Sequence, residues 1–511
     1  MKLWEKLKGV FRRMISPTDI ATILQIQPAI SSTMRDKINL WRDVYSGEGS
    51  WNGGPHAVKS LGIASMIASE QARMATLEMD VKITGESERA KYLKEEFEKV
   101  LASIRTELEF GIALGGLVVK PYVVKSAGGY EMHFTYTHAD HFYPLSFSPD
   151  KKITDAAFID RLITTDKIYS KLERHTLVPT DNGYKLRVTN SAYVKDSSEG
   201  TYGYNDTELG TPIPLTDVHD WAMLSPEVFI DTDKMLFTYF KMPQANQVDL
   251  ESPLGVSGFS RAVDLIEDAD KQYANLMWEF EGGQLAVDVD RTAFNVFKKD
   301  GKEQYILPQL QDRLFRRNLD LGEEGFYNVF SPSLRDASII NGLNNILVHI
   351  EDICNLSRGS LSFVMYSEAR TATELKIVKQ KSYAANREVQ KELQRVLEST
   401  LDIMNTYCDL YKIVPQGEYE RAFAWDDSII IDKDAERQVD LLDVQAGLMS
   451  KVEYRMKWNG ETEAQAIEAL NKIYEQQKRD LELQAHFSGK TSDEQTTLER
   501  SNQSNKITKN I

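Results

Sequence analysis

Three histidines and an aspartate lie close together in "HFTYTHADHFYP": His133, His138, Asp140 and His141. Imidazoles and a carboxylate are zinc ligands, but this spacing matches no standard finger and no cysteine joins it. The competing reading is histidines satisfied by neighbours at a strand–turn. Gly489-Lys490-Thr491 ends like a phosphate-binding loop, yet Gln484 stands where the first glycine is required and no strand precedes it. No G-x-S-x-G, H-E-x-x-H or Cys/His nucleophile pattern occurs. Cys354 and Cys408 are the two cysteines; they form no C-x-x-C pair and no disulfide framework, which fits a reducing compartment. The residues therefore lead us to expect no catalytic site, no resident metal and no cofactor.

Charge narrows the remaining classes. The 511 residues carry a formal net charge of −16, so a broad phosphate-gripping surface is excluded as the main business of the chain. Two local exceptions stand out. The first is "MKLWEKLKGVFRRMI" at the N-terminus, where Leu3, Trp4, Leu7, Val10, Phe11 and Met14 recur at helical spacing beside five cations and one anion. It reads either as a membrane-surface helix or, in the preferred reading, as an arm that docks on protein. The second is "FKKDGKEQYILPQLQDRLFRRN", with Lys298, Lys299, Lys302, Arg313, Arg316 and Arg317. Those cations are either solvated charge or a docking surface for an acidic partner or DNA phosphate. The carboxylates of "GESERAKYLKEEFEKV" read as a solvated helix face with ion pairs such as Glu95 with Lys99. No segment approaches the ~18 apolar residues of a membrane span, and charges interrupt any signal-peptide core.

The elements that carry these residues form a predominantly helical α+β chain. Ser31–Leu77 reads as helix broken around Gly47–Pro55, Glu78–Gly85 as a strand and Glu86–Phe110 as a helix. From Leu117 to about Phe240, "LVVKPYVV", "YEMHFTY", "AAFIDRLI" and "KLRVTNSAYV" carry the alternation of strands. A helix over Asp264–Glu281 sorts Ile266, Ala269, Tyr273, Leu276, Met277 and Phe280 onto one arc. Asp264, Glu267, Asp268, Lys271, Asn275 and Glu279 fall on the other, and Gly282-Gly283 stops it. A second helix, Arg335–Ser357, has Ile339, Ile340, Leu343, Ile346, Leu347, Ile350 and Cys354 on its apolar face. Asp336, Asn344, Asn345, Glu351 and Asp352 are on its polar face. Together they imply an antiparallel pair with a small α/β module at its tip, in which Asp300-Gly301 marks a hairpin. Thr371–Glu374 is a capping box opening a helix to about Tyr411, roughly 60 Å long. Further boxes at Ser450–Glu453 and Thr462–Gln465 open C-terminal helices, and Ser488–Ile511 reads as disordered.

The order of these patterns resembles one family. "SPLGVSGFSRAVDLIEDADKQYANLMWEFEGG", "NLSRGSLSF" followed by "RTATELKIVKQKSY", "DDSIIIDKDAE", "GLMSKVEYRMKWNGETEAQAIEAL" and "WRDVYSGEGSW…KSLGIASMIASEQARM" are similar to stretches of tailed-phage portal proteins, of the type in phages of Gram-positive hosts. The resemblance covers about Ser31–Gln484. One departure is Asn355, where glycine is expected before Leu-Ser; asparagine tolerates the left-handed conformation that the turn needs.

The resemblance implies a portal-type subunit. Its parts would be an N-terminal arm (1–30), an α+β wing (31–259), stem helices (260–281 and 335–355) and a small α/β clip (282–334). A tunnel loop (356–370), a long kinked helix with the wing remainder (371–429), a helical crown (430–487) and a tail (488–511) would follow. It further implies a dodecameric ring at a capsid vertex, a channel for double-stranded DNA, and partners in the terminase large subunit, a head-completion adaptor, and major capsid and scaffolding proteins. Under it, Arg358, Ser360, Ser362, Ser367 and Arg370 of the tunnel loop would meet DNA. Asp264, Glu267, Asp268 and Glu279 would line the channel, and the cations at 298–317 would serve docking at the clip. A minor capsid component without a channel, and a metal-dependent enzyme built on the histidines, remain the alternatives.

Overall fold

A computed structural model describes residues 23–24, 29–54, 57–126, 129–181, 183–196, 209–283, 286–290, 295–299, 302–306, 315–318, 327–330, 332–363, 372–425, 433–480 and 483. They fall into two compact units, Met1–Asp426 and Asp427–Ile511.

The first unit begins with helices whose starts are written locally. α1 (Ser32–Tyr45) is capped by the Ser31 hydroxyl, which accepts from the Met34 amide. After α2 (Ile63–Thr76) and β1 (Met79–Thr84) comes α3 (Glu88–Leu114), capped in the same way by Ser87. Leu93, Phe97, Val100, Ile104 and Leu108 recur every three or four residues along α3, and all are buried. Lys99 pairs with the buried Glu96 at 2.7 Å, one position from the expected partner Glu95.

The strands between Gly116 and Lys241 build two antiparallel sheets. The smaller is ordered β10-β2-β3, from β2 (Gly116–Ser126), β3 (Gly129–His138) and β10 (Thr238–Lys241). The larger contains β4 (Phe142–Phe147), β5 (Ile153–Ile163), β6 (Lys167–Thr180), β7 (Gly183–Asp196) and β8 (Thr211–Ile213) in that order, with β9 (Glu227–Ile230) also on β7. Strand alternation divides β5 between two hydrophobic clusters. Ala156 and Phe158 join the main core, while Ala157 and Ile159 join a smaller cluster with Tyr143, Leu145, Leu172 and Tyr193. The main core also takes in α1, α2 and α3, so sheets and helices share one interior.

Two glycines make close backbone contact possible where α3 meets β2. Gly115 ends α3 at φ 88, and a Cβ on Gly255 would lie 2.0 Å from the Gly115 carbonyl oxygen. Only glycine fits there.

The rest of the unit is the helix pair and what it carries. α4 (Val263–Gly282) and α5 (Asp336–Ile353) flank strands β11 (Ala286–Asp290), β12 (Asn295–Lys299), β13 (Lys302–Ile306), β14 (Phe315–Asn318) and β15 (Tyr327–Phe330). β12 and β13 pair antiparallel with Lys299 opposite Lys302, as the Asp300-Gly301 signal requires. β11 pairs with β14 in parallel and with β15 antiparallel. α6 (Ala372–Tyr411) is a single helix of 40 residues. It is followed by β16 (Glu420–Trp425), which returns to pair with β1, a pairing with no local signal.

In the second unit, α7 (Lys433–Ala446) precedes α8 (Lys451–Asn459) and a helix over 463–480. The Ser450–Glu453 box is formed reciprocally, and Thr462 and Gln465 bond each other's backbone in the same manner.

Candidate functional site

α4 and α5 pack against each other. Glu279 near the end of α4 meets Arg335 just before α5, so the pair is antiparallel. Ile266, Ala269 and Leu276 of α4 are buried, as are Leu343, Leu347 and Ile350 of α5. Two members of the expected apolar arc depart from it: Met277 and Phe280 are exposed in the single chain, as is Trp278.

The four acids expected on the polar arc of α4 divide into three kinds. Asp264 and Asp268 are exposed. Glu267 is half-buried and held by Lys271 at 2.6 Å, one helical turn on. Glu279 is buried; it accepts from both the Arg335 backbone and the Arg335 guanidinium, which hold its carboxyl below the usual carboxylate range. Glu279 is therefore a tie between the two helices, and its charge is not free on a wall. A further acid, Asp270, was not singled out from the sequence. It is 1% exposed and accepts from Trp51 Nε1 and the Leu61 amide, both at 2.8 Å, and from Asn52. It fastens the 51–61 segment to α4, just before α2 begins.

Directly after α5 the chain makes a tight turn. Asn355 has φ 55, so the asparagine does adopt the left-handed conformation expected of a glycine there. Gly359 follows at φ 91. Glu351, which helical spacing assigns to the polar face, is instead wholly buried. Its Oε1 accepts from the amides of Gly359 (3.1 Å), Leu361 (2.6 Å) and Ser362 (2.8 Å), and its Oε2 from the Ser362 hydroxyl (2.8 Å). Asn344, another polar-face residue, accepts from the Phe363 amide, and the Ser357 hydroxyl lies 2.7 Å from that of Ser382 on α6. The turn is thus fastened to the helix before it and the helix after it.

Of the expected loop residues, Arg358 is exposed and pairs with Asp352 at 3.1 Å. Ser360 is half-buried beside an open cavity of about 320 Å³ lined by Met66, Ser69, Glu70, Leu356, Ser360 and Leu361. Ser362 is buried with its hydroxyl committed to Glu351, so in this chain it is a fastening and not an open contact. Ser367 and Arg370 lie outside the described residues, as do Arg313 and residues 1–22 of the N-terminal arm. In the insert, Lys298, Lys299 and Lys302 fall on the β12–β13 hairpin. Arg316 and Arg317 fall on β14, where Arg316 is registered opposite Asp288 of β11.

The histidines separate to different partners. His133 stacks on Tyr122, with ring centroids 5.6 Å apart. His138 Nε2 lies 3.0 Å from Glu107. His141 Nδ1 lies 3.0 Å from Asp140, whose carboxyl burial would raise but which this hydrogen bond helps to hold below its ordinary range. Among the described residues, no three His, Cys, Asp or Glu side chains are grouped to hold a metal ion. None of the described helices is long and apolar enough to cross a membrane.

No family model matches the chain, and no curated protein matches it. Among solved structures it is similar to a chain of the "Neck of native GTA particle computed with C12 symmetry". The identity is 11%, over 84% of this chain and 94% of that one, with a TM-score of 0.39. A likeness that distant assigns neither family nor function.

Proposed function

We propose that this chain is the portal protein of a tailed phage. In this reading it is one subunit of a homo-oligomeric, dodecameric ring at a single capsid vertex, through which double-stranded DNA is packaged and later ejected. The observation that carries the reading is an order of parts. An antiparallel helix pair has a β insert between its members, then comes a fastened turn, then a helix of 40 residues. That is the order implied by the resemblance of "SPLGVSGFSRAVDLIEDADKQYANLMWEFEGG" and the stretches after it.

Under this reading the chain is not an enzyme and needs no cofactor; ATP hydrolysis belongs to the terminase large subunit. The terminase docks on the insert during packaging and a head-completion adaptor takes its place afterwards, with Lys298, Lys299, Lys302, Arg313, Arg316 and Arg317 as the cations they meet. Major capsid and scaffolding proteins surround the ring in the host cytoplasm, and the product sits in the virion. Asp264 and Asp268 give the channel a like-charged wall that repels phosphate and so offers DNA no place to stick. Arg358 and Ser360 touch the duplex through phosphate, without reading its sequence.

The test is negative-stain imaging of the purified full-length protein together with its mass in solution. Rings with a central hole and a mass of many subunits are expected. A chain that stays monomeric with capsid and scaffolding partners present overturns the reading. Closed assemblies lacking a hole point to a minor capsid component instead.

A further inference from the structure

The turn after α5 is built around a single carboxylate, and that carries an inference beyond the channel itself. Glu351 is wholly buried, yet four donors from one short segment converge on it: the amides of Gly359, Leu361 and Ser362, and the Ser362 hydroxyl. Successive backbone N–H groups curled around one point form an anion-binding concavity. Here the anion is the chain's own. Hydrogen bonds to an ionised acceptor are about twice as strong as neutral ones, so this carboxylate is the main fastening of the segment. Among the described residues, Asn344 also accepts from the Phe363 amide, and the Ser357 hydroxyl lies beside that of Ser382. Arg358 is on the rim of the concavity, exposed, with Asp352 on the same helix end as Glu351.

We infer that Glu351 is the positioning residue of this turn: by occupying the concavity it holds Arg358 and Ser360 as a fixed patch at the end of α5. The inference rests on the portal reading for what the patch meets, but not for the fastening. A patch held in advance loses no conformational freedom at each contact with a moving duplex. It also keeps its cation at one depth along the channel.

The experiment measures amide hydrogen exchange, ring mass and DNA packaging on the full-length protein carrying Glu351→Gln. The carboxamide keeps the shape but turns a donor toward donors. Exchange at Gly359, Leu361 and Ser362 should rise by about tenfold or more, and trypsin should cut faster after Arg358. Asp352→Asn, which weakens the Arg358 ion pair and keeps the Glu351 carboxylate in place, should leave the exchange of Leu361 and Ser362 unchanged. Ser362→Ala removes one of the four donors and should give a smaller rise; it decides the matter if Glu351→Gln does not fold. Rings of unchanged mass that package less DNA complete the support. Unchanged exchange in Glu351→Gln and Ser362→Ala overturns the fastening. Faster exchange with undiminished packaging overturns the positioning role. Failure of the wild type to form rings strikes the portal reading and leaves the exchange result standing.

Discussion

At the scale of single residues, the most informative side chains are acids in unexpected places. Asp270, Glu279 and Glu351 are buried on their helices, although periodicity assigns Glu279 and Glu351 to polar faces and leaves Asp270 unassigned. Each is buried because donors from elsewhere in the chain reach it. Removing such an acceptor strands its donors, and an unsatisfied buried donor costs about 1–3 kcal/mol. Asp270→Ala leaves Trp51 Nε1 and the Leu61 amide without their acceptor. A loss of about 3 kcal/mol is expected, read as a lower thermal midpoint. An unchanged midpoint would show that the 51–61 segment is held by other means.

At the scale of elements, the contact between the two sheets carries a charge cluster. Lys120 of β2 reaches Glu173 of β6 at 2.7 Å and lies over the Phe158 ring. Lys171 also meets Glu173, at 3.2 Å, and His175 Nε2 lies 2.7 Å from the same carboxylate. Burial would raise the Glu173 carboxyl, but Lys120 and its neighbours hold it well below 4.5. Burial pushes the His175 imidazole below its ordinary 6.5. Both shifts act in one direction. Between its folded value and 6.5 the histidine binds fewer protons folded than unfolded, so stability falls as pH drops through that window. The depressed carboxylate gives stability that is present above 4.5 and lost below it. The melting temperature should therefore begin to fall near pH 6.5 and fall again below 4.5. His175→Gln should flatten the first decline and leave the second. A flat curve in the wild type between neutral pH and the carboxylate range would refute the account.

At the scale of the whole molecule, the exposed acids of α4 matter through the field that many copies would sum. A wall of like charge acts over about 8 Å at physiological ionic strength, so twelve-fold repetition, as proposed, would keep phosphate off the channel surface. Asp264→Arg combined with Asp268→Arg should leave ring mass unchanged and lower packaged DNA several-fold, with the deficit easing at high salt. Packaging and ejection at wild-type levels would remove these residues from the channel. Glu279 belongs in no such test, since its replacement would loosen α4 from α5.

The features that can be read from the chain alone are those that depend on near neighbours. The boxes at Ser450 and Thr462, the β12–β13 hairpin and the 40-residue run of α6 are legible, because capping and periodicity are set within a few residues. The order of the helix pair, insert and long helix follows from the same local signals. Depth and partnership, by contrast, depend on the fold. A helical wheel gives the direction of a side chain but not whether a distant segment covers it. Leu61 and Trp51 lie 209 and 219 positions from Asp270, and β16 pairs with β1 from the far end of the first unit. The Glu351 turn is closer in sequence, yet its bonds exist only because Asn355 and Gly359 take left-handed conformations that fold the segment back onto the helix end. Spacing alone cannot say that a polar-face carboxylate will be covered in this way.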